Sequence, residues 1–336
     1  QEPIFDLLIK HGEVVDPAAN RRGRFDVGIV GKKIARIAPS LPASRSRLTL
    51  DAGEYLVTPG LIDLRARCDE RISGGLHADH HAIRSGVTTV ADSGSASADG
   101  LAHARSRMMV HTKTRLLSWL RVDANADPDA FFDAMAFWDE AHGIAVSDSV
   151  SGAFVIIRTD DGGDHWTRVA ADKLPPALPG EGAFAASGTN VAVFGTSHVW
   201  FGTGASTKAR VLRSTDRGMT WQIADTPLVS GKSAGIYSVG FRDAMHGVVV
   251  GGDYAKESEA VDNVAVTSDG GKTWTLIKEH SLRGFRSVVK FVPGSRASFV
   301  AIGPLGSDLS TDDGRTWTAL DGPGFDKFSF APGKQI

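Results

Sequence analysis

His77, His80 and His81 stand at the H-x-x-H-H spacing that holds zinc when the imidazoles fall on one helical face, with Cys68, Asp69 and Asp79 close by in the chain. Tyr254 lies three residues before Glu257. With Tyr237, Glu181 and Glu259 these residues are the raw material for a tyrosine nucleophile polarised by a carboxylate, one chemistry of glycoside cleavage. A third set, Asp161, Asp216, Asp269 and Asp312, looks suited to a cation, and the run 160–164 is dense enough in Asp and Gly to suggest a calcium loop. It lacks the alternating acids and terminal Glu of an EF-hand.

The elements that carry these residues decide between chemistry and structure. Each of the four acids sits at the third position of an octet, [ST]-x-D-x-G-x-x-W, starting at residues 159, 214, 267 and 310. The starts are 55, 53 and 43 residues apart, the spacing of propeller blades rather than of helical repeats. Each octet reads as a hairpin turn. The Asp folds its carboxylate onto nearby backbone N–H groups, Gly takes the φ > 0 position, and Trp lands on the returning strand facing the core. Apolar runs 154–157, 210–212 and 263–266 lead into the first three turns as strands should. The structural residues expected are Asp161, Gly163, Trp166, Asp216, Gly218, Trp221, Asp269, Gly271, Trp274, Asp312, Gly314 and Trp317. A second repeat, Phe137-Trp138-Asp139-Glu140-Ala141-His142-Gly143, recurs as Phe241-Arg242-Asp243-Ala244-Met245-His246-Gly247. It places His142 and His246 at one structural position on an inner strand pair of a blade.

The octet resembles the Asp-box of sialidase-like β-propellers. Segments 131–139, 179–187 and 251–254 extend the likeness to bacterial oxidoreductase-like propellers and to the photosystem II assembly factor of the Ycf48 type. That resemblance implies a six- or seven-bladed propeller, puts the octet acids away from the central channel, and implies no established chemistry. The sialidase family's R-I-P motif is absent, and Arg158 and Arg213 directly precede octets at the blade rim.

The first 125 residues read differently. Strands at 6–10 and 25–37 suit a small β-sandwich. The runs 55–64 and 85–94, with helix-compatible stretches such as Asp99–Arg107, have a βαβ rhythm. The order Val57-Thr58-Pro59-Gly60-Leu61-Ile62-Asp63-Leu64, then Gly86-Val87-Thr88-Thr89-Val90 with Asp92-Ser93-Gly94, resembles the amidohydrolase superfamily, its dihydroorotase and D-aminoacylase-like branch. In that family the first barrel strand ends in His-x-His on a catalytic metal. Here it continues Arg65-Ala66-Arg67, and a guanidinium has no lone pair to give a cation. The segment also supplies two or three units of a barrel that needs about 200 residues or more. The resemblance puts His77, His80 and His81 in a loop.

Net charge is −2 with no basic block, which argues against a nucleic-acid face, and no apolar run approaches 18 residues. Cys68 is the single cysteine, so no intrachain disulfide forms. The start at Gln1-Glu2-Pro3 suits a mature exported protein, periplasmic or secreted.

The expectation is a mainly β chain: an amidohydrolase-like sandwich and partial α/β segment over 1–125, then an Asp-box propeller of about four recognisable blades, complete or not, over 126–336. No catalytic, cofactor-binding or metal residue is assigned beyond the His77, His80 and His81 candidates, and no cofactor is expected. The expected function is a non-catalytic platform for a protein or glycan ligand. The alternatives are a metal-dependent hydrolase of cyclic amides or N-acyl amino acids, and a glycoside-binding or sialidase-like propeller. Unpaired blade edges at the two ends would also favour edge-to-edge homo-oligomers.

Overall fold

A computed structural model describes residues 4–68, 75, 77–92, 112–118 and 129–330, and the chain divides into two units, Gln1–Arg121 and Val122–Ile336. The stretch Asp99–Arg107, Gly94 and Asp69 lie outside the described residues. Among the described residues no helix is long and apolar enough to cross a membrane.

In the first unit a long strand, β1 (Phe5–Asp16), organises a five-stranded sheet with β2 (Arg21–Val30), β3 (Lys33–Ala38), β4 (Ser46–Asp51) and β5 (Leu56–Val57). β2 runs antiparallel along β1, while β4 and β5 pair parallel with its first and second halves. A bulge between Ile9 and Gly12 separates those halves, with His11 at φ 64°. The buried Asp26 carboxylate pins the bulge, accepting from the Lys10 ammonium at 2.7 Å and from the His11 and Leu41 amides at 2.8 Å. A second sheet is parallel throughout, in the order β6 (Leu61–Ala66), β7 (Val87–Asp92), β8 (Arg115–Ser118), with the helix α1 (Ala78–Ala82) between β6 and β7. Parallel sheets are normally covered on both faces. Here Leu61, Ile62 and Leu64 of β6 stay exposed.

The second unit is built from four consecutive antiparallel meanders. The first holds β9 (Phe132–Phe137), β10 (Gly143–Val150), β11 (Ala153–Thr159) and β12 (Thr167–Arg168); the second β13 (Val191–Phe194), β14 (His198–Gly202), β15 (Arg210–Ser214) and β16 (Gln222–Asp225). The third holds β17 (Ala234–Phe241), β18 (Gly247–Asp253), β19 (Val264–Thr267) and β20 (Thr275–Leu276); the fourth β21 (Val288–Phe291), β22 (Phe299–Gly303), β23 (Gly306–Ser310) and β24 (Thr318–Leu320). The opening strands β9, β13, β17 and β21 neighbour one another in that order, which makes them the inner strands of propeller-like blades.

Every octet joins the third strand of a blade to the fourth, and its hydrogen bonds follow one scheme. The hydroxyl at position 1 donates to the Asp and accepts from the position-5 glycine amide, as Ser214 does toward Asp216 at 2.7 Å and from Gly218 at 2.9 Å. The Asp then accepts from the backbone and side chain of position 7, a threonine in three octets and His165 in the first. Positions 4 and 5 both take φ > 0. Glycine fills position 5 throughout, but position 4 is Gly162, Arg217, Gly270 and Asp313. The two non-glycine residues are held from outside the turn, Arg217 by the Thr196 carbonyl and Asp313 by a two-pronged pair with Arg242 of the preceding blade.

The position-5 glycines also set the seams between blades. A Cβ on Gly218 would lie 2.7 Å from Ile144, on Gly271 3.1 Å from Trp200, and on Gly314 2.7 Å from Val248, each time a residue of the blade before. Three apolar clusters fill the seams, and each contains the octet tryptophan of the later blade: Trp221, Trp274 and Trp317. Trp166 belongs to none of them. The four tryptophans are therefore not equivalent: Trp221 and Trp317 are buried, whereas Trp166 and Trp274 are half-buried. The Trp166, Trp221 and Trp317 indoles donate to the carbonyl of their own position-5 glycine, and the buried Trp274 Nε1 has no partner among the described residues.

His142 and His246 occupy matching turns between the first and second strands of blades one and three. Asp139 accepts from the His142 amide and imidazole at 2.8 Å, and Asp243 from the His246 amide at 2.8 Å and its imidazole at 3.0 Å.

Candidate functional site

Because all four blades run in the same sense, the starts of their inner strands converge at one end of the unit. A cavity of about 580 Å³ opens there, lined from every blade: Phe131, Asp133 and Asp148 from the first, residues 183–186 from the segment before β13, Tyr237, Tyr254 and Glu257 from the third, and Phe285 and Ser287 from the fourth. Pro304, Asp326 and Lys327 complete the wall.

Local irregularities in the ladders aim three of these side chains. Ala134 pairs with Val146 and Phe132 with Ser147, so Asp133 is an extra residue on β9. Ser147 and Asp148 together oppose the single residue Val155, and Tyr237 is the extra residue between the Ile236–Gly251 and Ser238–Val250 pairs. Bulges of this kind re-aim a side chain out of the strict in-and-out alternation. Asp148 Oδ1 accepts from the Ala183 amide at 2.7 Å, and a side chain at Gly182 would come within 2.4 Å of the same oxygen.

Aromatic rings form the floor. Tyr237 stacks on Phe184 with centroids 4.0 Å apart and meets Phe285 edge-on at 4.6 Å and Tyr254 at 6.3 Å. The Tyr237 hydroxyl donates to the Ser233 carbonyl at 3.0 Å. Burial, then Tyr254 and Asp253, push its pKa upward, so it stays a neutral phenol. Tyr254 is exposed at the mouth.

Asp133 is the unusual acid. It is only 7% exposed, and its Oδ2 has no hydrogen-bond partner among the described residues. Burial first and the Asp148 charge second push its pKa up to about 8. The folded state thus keeps a proton that the unfolded chain releases near pH 4, so the penalty is absent below that pH, grows through neutrality and levels off above about 8. Asp133→Asn is expected to match the parent near pH 4 and to be more stable by roughly 2–4 kcal/mol at pH 8. Denaturant midpoints at pH 4, 6 and 8 check this, and a pH-independent difference would sink the assignment.

Of the residues singled out from sequence, Tyr237, Tyr254 and Glu257 meet in this cavity. Glu181 does not. It is fully buried in blade two, where it accepts from Arg210 Nε at 2.8 Å, Thr203 Oγ1 at 2.6 Å and the Leu178 amide at 2.8 Å, so it is structural. Glu259 pairs with Lys256 at the surface. Asp161, Asp216, Asp269 and Asp312 stay in their turns. The His165 amide, its imidazole and the Thr159 hydroxyl bring the Asp161 carboxyl down to about 2. Arg158 reaches Asp160 at 3.2 Å and Arg213 meets Gln222.

His77, His80 and His81 belong to a helical turn rather than a loop: His80 and His81 lie on α1, and both amides donate to the His77 carbonyl. Their side chains diverge in role. His77 packs against His80 at 5.0 Å between centroids, while His81 faces Asp63 at 3.3 Å. Asp79 accepts from the Lys113 and Thr114 amides, which hold it near 2. Among the described residues no group of three or more potential ligands is assembled. Arg65 and Arg67 are exposed at the end of β6. The Cys68 thiol is buried and pushed up to about 11 by burial, Asp92 and Asp63, so it is not a nucleophile at neutral pH.

No known family model matches the chain. A dihydroorotase of Clostridium acetobutylicum is 34% identical over 91 residues, 25% of this chain and 21% of that protein, so the chain spans about a fifth of the length of the curated relatives it matches. Among solved structures, a Ycf48 bound to D1 peptide is 20% identical with a TM-score of 0.35 and covers 56% of this chain and 53% of that one. A GH74 xyloglucanase from Xanthomonas campestris is 18% identical with a TM-score of 0.39, over 57% of this chain and 31% of the other.

Proposed function

We propose that the four-bladed unit is a non-catalytic platform that holds a partner at the cavity where its inner strands converge. One observation carries the reading: rings and carboxylates from all four blades converge on one concave site, the arrangement by which proteins bury part of a ligand and orient the rest with a few polar groups. The seams support it, since a surface assembled from several elements recognises a partner only if those elements keep their spacing. Screening the purified full chain against arrays of peptides and glycans tests it. Tyr254→Ala and Phe131→Ala, at exposed lining positions, are expected to abolish the strongest signals without moving the melting temperature. Signals indifferent to both changes would overturn the reading, and glycan cleavage lost in Tyr254→Phe would make the site an enzyme's.

A second reading, a metal-dependent amidohydrolase, draws on the identity to dihydroorotase over a quarter of the chain. Arg65 and Arg67, at the positions matching the family's paired histidines, weigh against it, because each carries a permanent positive charge and no donor lone pair. The full chain is expected to purify without stoichiometric zinc and to leave dihydroorotate, hydantoins and N-acyl amino acids unhydrolysed. Zinc-dependent turnover of any of them would restore the hydrolase.

A further inference from the structure

We infer that the cavity is built for an organic cation on an aliphatic stem, the lysine or arginine side chain of a peptide, with Asp133 as its counter-ion; the inference rests on the platform reading above. Three independent observations meet here. Asp133 is more than nine-tenths buried, lines the cavity, and leaves Oδ2 without a partner among the described residues. A buried acceptor in that state costs free energy that a donor arriving from outside recovers. The wall around it is acidic and aromatic, with Asp148 from β10, Glu257 after β18 and Asp326 from the C-terminal segment against Lys327. Burial and the Asp148 charge disfavour the Asp133 carboxylate, and the Asp148 backbone N–H, a donor to it, offsets them only in part.

The rings give such a stem something to lie against. Tyr237, Tyr254, Phe184 and Phe285 form a continuous aromatic cluster, and aromatic faces attract ammonium and guanidinium groups while packing their methylenes. The bulges explain why the acids stand beside the rings: without the extra residues at Asp133 and Asp148, alternation would turn these side chains elsewhere. A neutral sugar could stack on the rings and donate a hydroxyl to Oδ2, but it brings no positive charge to draw the proton from Asp133.

Binding has a proton balance that a merely structural acid lacks. At pH 7 the neutral Asp133 carboxyl meets R–NH₃⁺, the carboxyl proton leaves to the buffer, and a carboxylate–ammonium pair remains. The other titratable groups of the lining are Asp148, Glu257, Asp326, Lys327, Tyr237 and Tyr254.

Calorimetric titration of the full chain at pH 7 tests the inference, with acetyl-Gly-Lys-Gly-amide, its Arg and Gln counterparts, spermidine and cellobiose as probes. The Lys or Arg peptide is expected to bind at least tenfold more tightly than the Gln peptide, with a dependence on buffer ionisation heat that reports proton release. Asp133→Asn is expected to lose at least tenfold in affinity and the proton release, with an unchanged circular dichroism spectrum. Spermidine binding more tightly than either peptide would assign the same chemistry to a free polyamine rather than a peptide. Equal binding of the Gln peptide or of cellobiose overturns the inference and leaves the platform standing. Binding of the Lys peptide to the parent without proton release overturns it equally, a readout that needs no variant. If no probe binds and the cavity variants leave every array signal intact, the platform falls as well.

Discussion

Replacing Glu181 by glutamine is expected to destabilise the fold by roughly 3–5 kcal/mol, because it strands the Arg210 guanidinium in the interior of blade two. The Glu181 side chain is 0% exposed and that of Arg210 9%, and the pair is tied in by Thr203, the Leu178 amide and the Pro176 carbonyl. Blade four repeats the device with reversed polarity, Arg286 before the inner strand and Asp308 on the third, at 2.7 Å and with both side chains buried. The large number belongs to breaking a pair, not to having one. The double change Glu181→Met with Arg210→Met is expected to recover most of the loss, since removing both charges leaves neither uncompensated. Urea midpoints of the two variants decide the matter, and a Glu181→Gln variant unfolding with the parent would show that water reaches the site.

Trp221→Ala and Trp317→Ala are each expected to cost about 3–5 kcal/mol, the range for removing a buried aromatic. Each deletion empties the centre of a seam, Trp221 between blades one and two and Trp317 between three and four. Trp166→Ala is expected to cost less than half as much. Trp166 is half-buried and touches Phe137 edge-on at 6.1 Å rather than filling an apolar cluster between blades. Equal losses at 166 and 317 in matched denaturation curves would mean that the turn, not the seam, determines the energy.

That difference among four octets of one pattern shows where sequence reading ends. The octets are legible because a turn is a local object: the hydroxyl, the acid and the glycine that satisfy one another lie within five residues. Position 7 escaped the pattern, although the same Asp binds a threonine there in three octets and His165 in the other. Burial of the tryptophan depends on what the preceding blade offers, which no octet contains. Asp133 and Asp148 were harder still. Each is a lone acid within an apolar strand, and the bulge that turns it toward the cavity is a mismatch between two strands, invisible in either one alone. Phe131-Phe132-Asp133 and Val146-Ser147-Asp148 did carry a signal, an acid where alternation calls for core. Glu181 misled for the opposite reason, since its partner Arg210 lies 29 residues away. The turn Ala78–Ala82 is too short for helical periodicity to register.

The seams bear on how such a chain can change over generations. Each of the three later blades brings its own tryptophan and position-5 glycine to the blade before it, and each of the three earlier ones offers a second strand, carrying Ile144, Trp200 or Val248, to the blade after it. The stretch that a duplication would copy therefore carries one half of two different joints. A copy inserted between neighbours meets a receptive strand on one side and supplies one on the other. Blade number is accordingly free to drift by gain or loss of whole repeats, while the cavity, which draws different residues from each blade, is the part that such drift would have to rebuild.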